Sequence, residues 1–156
     1  MRKAIVRDSF PTDPAALAPR LRKADLAELQ AVASVAPLDA LVASLEASVR
    51  PLTVVLDDQP IAMFGAVPME GEPATAAVWL LGTDDLLEIK WQFLRESKRW
   101  LKEIHGPYAL LWNYVDARNE VHIKWLQWMG FSFLCREEKF GVEGRPFYEF
   151  ISLKTE

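Results

Sequence analysis

The part of the sequence that decides the fold is NEVHIKWLQWMGF, residues 119–131. Asparagine is a favoured residue just before a helix, so Asn119 predicts a helix start. Gly130 suits the left-handed position that ends a helix, and Phe131 then re-enters a sheet. The segment just upstream is predicted to be part of a buried strand; it is LWNYV, residues 111–115. Together the two segments predict a strand, a turn, a helix and a return to the sheet.

From residue 52 onward, apolar runs and turn residues predict several strands and one long helix. A turn at Asp57-Asp58-Gln59-Pro60 separates two apolar runs, which predicts a β-hairpin. The long helix opens at Thr83-Asp84-Asp85 and ends before Gly106-Pro107. The predicted strands are 52–56, 61–67, 74–81, 108–115, 131–137 and 147–153, and the predicted helices are 83–104 and 119–129.

The first fifty residues predict a short strand at 3–7 followed by helices. Asp13 is predicted as an N-cap, with Pro14 at the first helical position. Two further helices are predicted to begin near Asp25 and near Leu38. The apolar face of the helix from Asp25 is predicted to consist of Leu26, Leu29, Val32 and Ala33.

Composition and charge limit the class of protein. The 156 residues, 51% hydrophobic and 26% charged, fit one globular domain spanning 1–156. With 18 basic against 22 acidic residues, the net charge of -4 argues against nucleic acid as a partner. The apolar runs are far shorter than the roughly 20 residues of a membrane span, and the N-terminus lacks the apolar core of a signal peptide. The single cysteine, Cys135, cannot form an intramolecular disulfide and is predicted to be a small core residue.

The order β, helices, β-β-β, α, β, α, β-β, together with residues 119–131, resembles the GNAT superfamily of acyl-CoA N-acyltransferases. The resemblance implies an α/β (α+β) fold with a mixed, mostly antiparallel sheet, flanking helices and a C-terminal β-hairpin. More narrowly, LWNYV and the Asn-x-x-His-Ile helix start resemble the GNAT-like internal virion protein A type of T7-like tailed phages. This closer match covers the last half of the chain, whereas residues 1–75 match only in the order of their elements. It implies contacts with other phage proteins, in the host cytoplasm or the virion interior.

The resemblance also indicates where a cofactor would bind. Active members hold the acetyl-CoA diphosphate on an Arg/Gln-x-x-Gly-x-Gly/Ala loop between the fourth strand and the long helix. Here that link is LGTDDL, residues 81–86, with one glycine and no basic residue. Asp84 and Asp85 are predicted to cap the helix with their carboxylates and to repel a diphosphate. No cofactor is therefore expected, and the alternative is acetyl-CoA bound between strands 74–81 and 108–115. The candidate contacts for that alternative are Leu80, Leu81, Gly82, Asn113 and Asn119.

The catalytic residues of the superfamily are also missing. The resemblance places a tyrosine general acid seven residues after Asn119, where this chain has Leu126. His122 is a candidate substitute because imidazole titrates near neutral pH, although a packed histidine at a helix start explains it as well. Asp116 is a candidate general base or a turn-forming residue. The interpretation is a non-catalytic protein of virion assembly or the virion interior, with an acetyl-CoA-dependent N-acetyltransferase as the alternative and no metal site.

All six tryptophans lie in the second half of the chain. Most are predicted to be core residues. Trp91 and one of Trp125 and Trp128 are predicted to be partly exposed, because one helix face cannot bury all of them. An exposed pair of tryptophans would mark a contact with another protein.

Overall fold

The computed structural model describes residues 3–155, which contain a seven-stranded sheet in the order β1-β2-β3-β4-β5-β7-β6. The pair β4–β5 is parallel and the other five pairs are antiparallel. The strands are Ile5–Asp8 (β1), Leu52–Leu56 (β2), Gln59–Met69 (β3), Glu72–Gly82 (β4), Leu110–Asp116 (β5), Ser132–Phe140 (β6) and Arg145–Leu153 (β7). The helices are Asp13–Leu17 (α1), Lys23–Ala33 (α2), Pro37–Ala47 (α3), Asp85–Glu88 (α4), Lys90–His105 (α5) and Glu120–Met129 (α6). The predicted mixed, mostly antiparallel sheet with a C-terminal hairpin is confirmed.

Apolar residues on both faces of the sheet are buried by the helices that pack on them. The larger core includes residues of α4, α5 and α6 with one face of the central strands, among them Leu86, Ile104 and Trp125. A smaller core joins Leu17 of α1 and Leu41 of α3 to the opposite face. Because α4 and α5 connect the parallel strands β4 and β5, they must cross over one face of the sheet.

Strands β4 and β5 form only a short parallel ladder, beyond which they are no longer paired with each other. Its register runs only from Thr75 opposite Leu110 to Ala77 opposite Trp112. Beyond Ala77, the ends of the two strands continue without this ladder. The sheet therefore has a gap at its centre, where strand edges need other hydrogen-bond partners.

The hairpin between β2 and β3 turns as predicted, at Asp57 and Asp58. Their φ angles of 51° and 65° are left-handed, the geometry that two-residue hairpin turns require. At the end of α6, Gly130 has φ 94° and is left-handed, as its place in the sequence predicted.

The prediction of Asp13 as an N-cap was wrong. Thr12 is the N-cap, and Asp13 is the first helical residue. Its buried carboxylate accepts two bonds from Arg7 at 2.8 and 3.0 Å, one from the Phe10 amide and one from the Thr53 hydroxyl. Burial alone would raise the pKa of Asp13, but these hydrogen bonds outweigh it and the pKa is lowered. The residue joins β1, α1 and β2, which no local pattern could indicate.

The prediction of the buried face of α2 was right for Leu29, which packs against the smaller core, but wrong for Leu26 and Val32. Leu26 and Val32 are 37% and 39% exposed, whereas Asp25 and Ala31 are buried. The physical reason is that α2 turns its polar residues toward the end of β4, where Asp25 binds the Gly82 amide.

Two further predictions are corrected in the second half of the chain. The long helix is broken at Ile89, whose dihedrals of -106° and 18° separate α4 from α5 while its side chain stays buried. Cys135 is exposed and not a core residue, because β6 is the edge strand of the sheet and most of its residues face solvent.

The predicted exposure of the tryptophans is confirmed. Trp91 and Trp128 are 68% and 54% exposed, whereas Trp125 is buried. The Trp128 indole donates to the Leu94 carbonyl at 2.9 Å, so α6 is tied to α5 beside this exposed ring.

No single helix among residues 3–155 has the length and apolar content needed to cross a membrane. Helices α2 and α3 meet that requirement only as a pair, and they are bent by 79° at the break between them.

The turn between β6 and β7 is fixed to the end of α2. The amides of Val142 and Glu143 donate to the Val32 and Ala31 carbonyls, each at 3.2 Å. A Cβ at Gly141 would lie 2.3 Å from the Ala31 carbonyl oxygen. The closest contacts of this turn with α2 therefore require a glycine there.

Gly141→Ala is expected to lower the free energy of unfolding by about 1–3 kcal/mol more than Gly144→Ala. Both residues have positive φ, 71° and 63°, so both variants bear the same strain, but a Cβ at Gly144 meets nothing within 4 Å. Urea denaturation of the two variants measures the difference. Equal losses would show that the contact with α2 does not restrict residue 141.

Candidate ligand site between β4 and β5

The link between β4 and α4 already uses most of its backbone amides. The Gly82 amide donates to the Asp25 carboxylate at 3.0 Å, and the Thr83 amide to the Ile61 carbonyl at 2.8 Å. The amides of Asp85 and Leu86 donate to the hydroxyl and the carbonyl of Thr83, each at 3.2 Å. The carbonyl of Gly82 also has a partner, the Arg22 amide at 2.9 Å.

The prediction that Asp84 and Asp85 cap the helix with their carboxylates was wrong. Asp84 stands at the N-cap position without a side-chain cap bond, because its helical dihedrals of -64° and -16° are not those of a capping residue. Instead, the Thr83 hydroxyl accepts a hydrogen bond from the Asp85 amide. The Asp85 carboxylate pairs with Arg20 at 3.5 Å. Both carboxylates nevertheless lie at the link, where the charge of Asp85 is compensated by Arg20.

A buried polar network closes the end of the gap. Arg22 donates to the Asn119 side-chain oxygen at 3.0 Å, and the Asn119 amide donates to Asp25 at 3.3 Å. Asn119 is the N-cap residue of α6, as predicted, but its side chain makes no cap bond. The Arg22 guanidinium lies 5.5 Å from the centre of the Trp125 ring. The network thus joins α2, β4 and α6.

Glu28 extends this network and was missed by the sequence analysis. Its carboxylate accepts the Asp116 amide at 2.9 Å and lies 3.5 Å from the Asn119 amide nitrogen. Burial, together with the nearby charges of Asp25 and Asp116, raises its pKa to about 7. One signal was available, because Arg22, Asp25 and Glu28 recur every three residues and so share one face of a helix.

Asp116, the candidate base, is buried and engaged in a turn. Its carboxylate accepts the Arg118 amide at 2.9 Å and pairs with the Arg118 guanidinium at 2.7 Å. Burial would raise its pKa, but the bonds from Arg118 lower it overall. The carboxylate is thus held in its ionised form by Arg118.

His122, the candidate acid, is buried on α6. Burial and then the positive charge of Arg22 lower its pKa to about 4, so the ring is neutral at pH 7. Its Nδ1 atom has no hydrogen-bond partner within residues 3–155. The ring lines the same cavity as Glu28.

Asn113 bridges the gap in the sheet. Its side-chain amide donates to the Val78 carbonyl of β4 at 2.7 Å, while its oxygen accepts the Tyr114 amide. Of the other predicted contacts, Leu80 packs in the larger core and Leu81 in the smaller one. The structure therefore brings Leu80, Leu81 and Asn113 to one cavity, whereas Gly82 and Asn119 are not among its lining residues and are already hydrogen-bonded.

A cavity of about 260 Å³ opens at this gap and continues beneath α5. Its walls are mainly apolar, with Glu28, Asn113 and His122 among the polar side chains. An apolar cavity with a few convergent polar groups is typical of small-molecule sites. Within residues 3–155, no group of three or more His, Cys, Asp or Glu residues could hold a metal ion.

Comparison of the whole fold finds solved acetyltransferase structures of similar architecture. The GNAT-family acetyltransferase from Bacillus anthracis superposes with a TM-score of 0.71 at 11% identity, covering 98% of each chain. The ribosomal-protein-S18-alanine N-acetyltransferase from Escherichia coli gives 0.68 at 14% identity, covering 99% of this chain and 96% of that one. The aminoglycoside acetyltransferase AAC(6')-Ib, in complex with coenzyme A, gives 0.66 at 14% identity, covering 97% and 95%. The chain therefore has the GNAT fold.

The sequence comparisons add nothing to this result. No family model matches the chain. No curated protein matches it either.

Proposed function

We propose that this chain is a GNAT-fold protein that does not transfer acetyl groups and acts in phage virion assembly, or inside the virion, through contacts with other phage proteins. One observation carries the non-catalytic part. Asp25 and Arg22 hold the amide and the carbonyl of Gly82, at the place where the superfamily binds a diphosphate.

A diphosphate needs backbone N–H groups that are free to donate and a positive local field. Here the amides of Gly82, Thr83, Asp85 and Leu86 already donate to protein oxygens. Asp84 adds negative charge at the same link, and the positive charge of Arg20 is already paired with Asp85 there. The residues present therefore do not fit the diphosphate of coenzyme A.

The phage role rests on the resemblance of residues 111–115 and 119–123 to the internal virion proteins of T7-like phages. The exposed Trp91 and Trp128 support it, since tryptophan is enriched where proteins contact each other. Mass spectrometry of purified phage particles tests the role. Absence of the chain from the particles would contradict a place inside the virion.

An acyl-CoA-dependent N-acyltransferase is the second candidate. It is favoured by Glu28, a carboxyl group with a pKa near 7 that lines one cavity with His122, because groups titrating near neutral pH suit proton transfer. The AAC(6')-Ib structure with coenzyme A shows that a protein of this fold binds that cofactor. In this chain the open end of β4, residues 78–82, would have to hold the cofactor without its usual loop.

Acetyl-CoA is expected to leave the melting temperature unchanged, within about 1 °C at about 1 mM ligand, because a ligand that does not bind the folded state cannot stabilise it. Differential scanning calorimetry measures this. The matched control, Asp84→Asn with Asp85→Asn, removes both charges and leaves the amides bonded, so it too should show no shift. A rise of several degrees in the unmodified chain would support the acyltransferase instead. If acetyl-CoA raised the melting temperature of the variant alone, the negative charge, rather than the hydrogen-bonded amides, would be what prevents binding.

A further inference from the structure

Helix α5 presents several of its basic residues on one exposed face. A helix turns by about 100° per residue, so Trp91, Arg95, Lys98 and Lys102 lie within about 60° of one another around its axis. All four are exposed, whereas Ile104 on the opposite side is buried. We call these four residues the basic face of α5. With a rise of about 1.5 Å per residue, this face is about 16 Å long.

The three cations of the basic face are not neutralised. None of them has an acidic partner within residues 3–155. The two acidic residues of α5 are paired with other arginines, since Glu96 lies 3.6 Å from Arg99 and Glu103 lies 3.1 Å from Arg50. With five basic and two acidic residues, α5 has a net charge of +3 in a chain of net charge -4, so the remainder of the chain bears -7. The charge of the protein is therefore strongly asymmetric.

Exposed apolar side chains border the basic face. Besides Trp91, these are Trp128 on α6 and Leu87 on α4. The Trp128 indole donates to the carbonyl of Leu94, which follows Trp91 by three residues and so lies on the neighbouring turn of α5. The Lys90 ammonium lies 5.3 Å from the centre of the Trp91 ring. Large apolar side chains and unpaired cations thus lie side by side at the protein surface.

We propose that the basic face of α5 docks the protein on the surface of an anionic lipid bilayer. Tryptophan is enriched at the level of the lipid headgroups, and Lys and Arg near a membrane are attracted to anionic lipids. The aliphatic stems of these cations lie along apolar surface while their charges reach the headgroups. The protein lies on the bilayer without crossing it, and the inference does not depend on the proposed phage role.

Three features favour a bilayer over another anionic partner. Protein interfaces are depleted in lysine, which two of the four residues of the basic face are. A nucleic-acid backbone offers no apolar partner to Leu87 and Trp128, whereas the acyl boundary of a bilayer does. The outer face of a single helix is convex, so it meets a plane more readily than it encloses a peptide. The exposed acidic residues Asp84 and Glu88 precede α5, so the electrostatic attraction comes from its later turns.

Sedimentation of the full chain with lipid vesicles tests the proposal. Vesicles of phosphatidylcholine with about one-third phosphatidylglycerol are expected to bind it at least about tenfold more tightly than pure phosphatidylcholine at about 50 mM salt. Raising the salt to about 0.5 M should weaken that binding at least about tenfold, because the attraction between exposed charges is screened.

Lys98→Glu with Lys102→Glu should weaken binding to the anionic vesicles about tenfold or more. The matched control is Lys23→Glu with Lys139→Glu, which changes the net charge equally at exposed residues of α2 and β6. It should retain binding to within about threefold, since screening limits the effect of distant charges. Trp91→Ser should weaken binding at both salt concentrations, and circular dichroism verifies that every variant is folded.

The proposal fails if the chain does not sediment with the anionic vesicles, or if pure phosphatidylcholine binds it equally well. It also fails if the two charge-reversal variants lose the same amount of binding, because the net charge rather than the basic face would then be responsible. Duplex DNA and polyglutamate serve as competitors. If either displaced the vesicles at equal charge concentration, the face would bind polyanions in general and the assignment to lipid would be wrong.

Discussion

Replacing Arg22 with methionine is expected to lower the free energy of unfolding by about 3–5 kcal/mol, because it leaves the buried carboxylate of Asp25 without its paired cation. The ion pair spans 3.7 Å, and both side chains are almost fully buried. Burial already raises the pKa of Asp25, and the charge of Arg22 opposes that rise. Methionine keeps most of the apolar volume over Trp125, so the loss reports the charge and its hydrogen bond to Asn119.

Urea denaturation at pH 7 measures this loss. Two further variants serve as comparisons. Arg50→Met removes an exposed arginine that pairs with Asp8 and Glu103, so it should cost under about 1 kcal/mol. Adding Asp25→Asn to Arg22→Met should recover part of the stability, because the unpaired charge is then gone. If Arg22→Met cost no more than Arg50→Met, the network would not hold α2 to the gap.

The change in the free energy of unfolding that Glu28→Gln causes is expected to be roughly 3 kcal/mol more stabilising at pH 8 than at pH 4. The pKa of Glu28 rises from 4.5 in the unfolded chain to about 7 in the folded protein. Such a group gives its full stabilisation below about pH 4.5 and loses it as the pH rises through 7. At pH 8 the native protein bears a partly buried charge beside Asp25 and Asp116, and glutamine removes it.

Unfolding measured by urea at several pH values between 4 and 8 tests this sign and size. Glu72→Gln, which changes an exposed carboxylate on β4, is the control and should leave the pH profile of the unmodified chain intact. The profile of Glu28→Gln should be flatter than both. An unchanged profile would mean that Glu28 titrates in the folded protein as it does in the unfolded chain.

Much of the fold follows from patterns between near neighbours. Asp57 and Asp58 form a tight hairpin because both tolerate left-handed backbone, and Gly130 ends α6 for a similar reason. Such preferences depend on the residue and its immediate backbone, so they can be predicted without the rest of the chain. The missed helix break at Ile89 is different, since its side chain is buried by the surrounding core.

The polar residues at the site could not be assigned in the same way. Asp25 bonds to Gly82 and Asn119, which lie 57 and 94 residues away. Asp13 bonds to Thr53, 40 residues away. A carboxylate in a short helix satisfies many local patterns equally well, and only its distant partners decide between a cap, a solvent-exposed charge and a buried network.

The chain's own residue order therefore specified the helices, strands and hairpins of a GNAT fold, because periodicity and turn chemistry act over a few residues. Assembly of the sheet decided which polar groups would meet. The β4–β5 ladder ends after Ala77, and the strand ends beyond it need hydrogen-bond partners. Asn113, Asp25 and Arg22 supply them, and that physical need places a buried polar network at the open end of the β4–β5 pair.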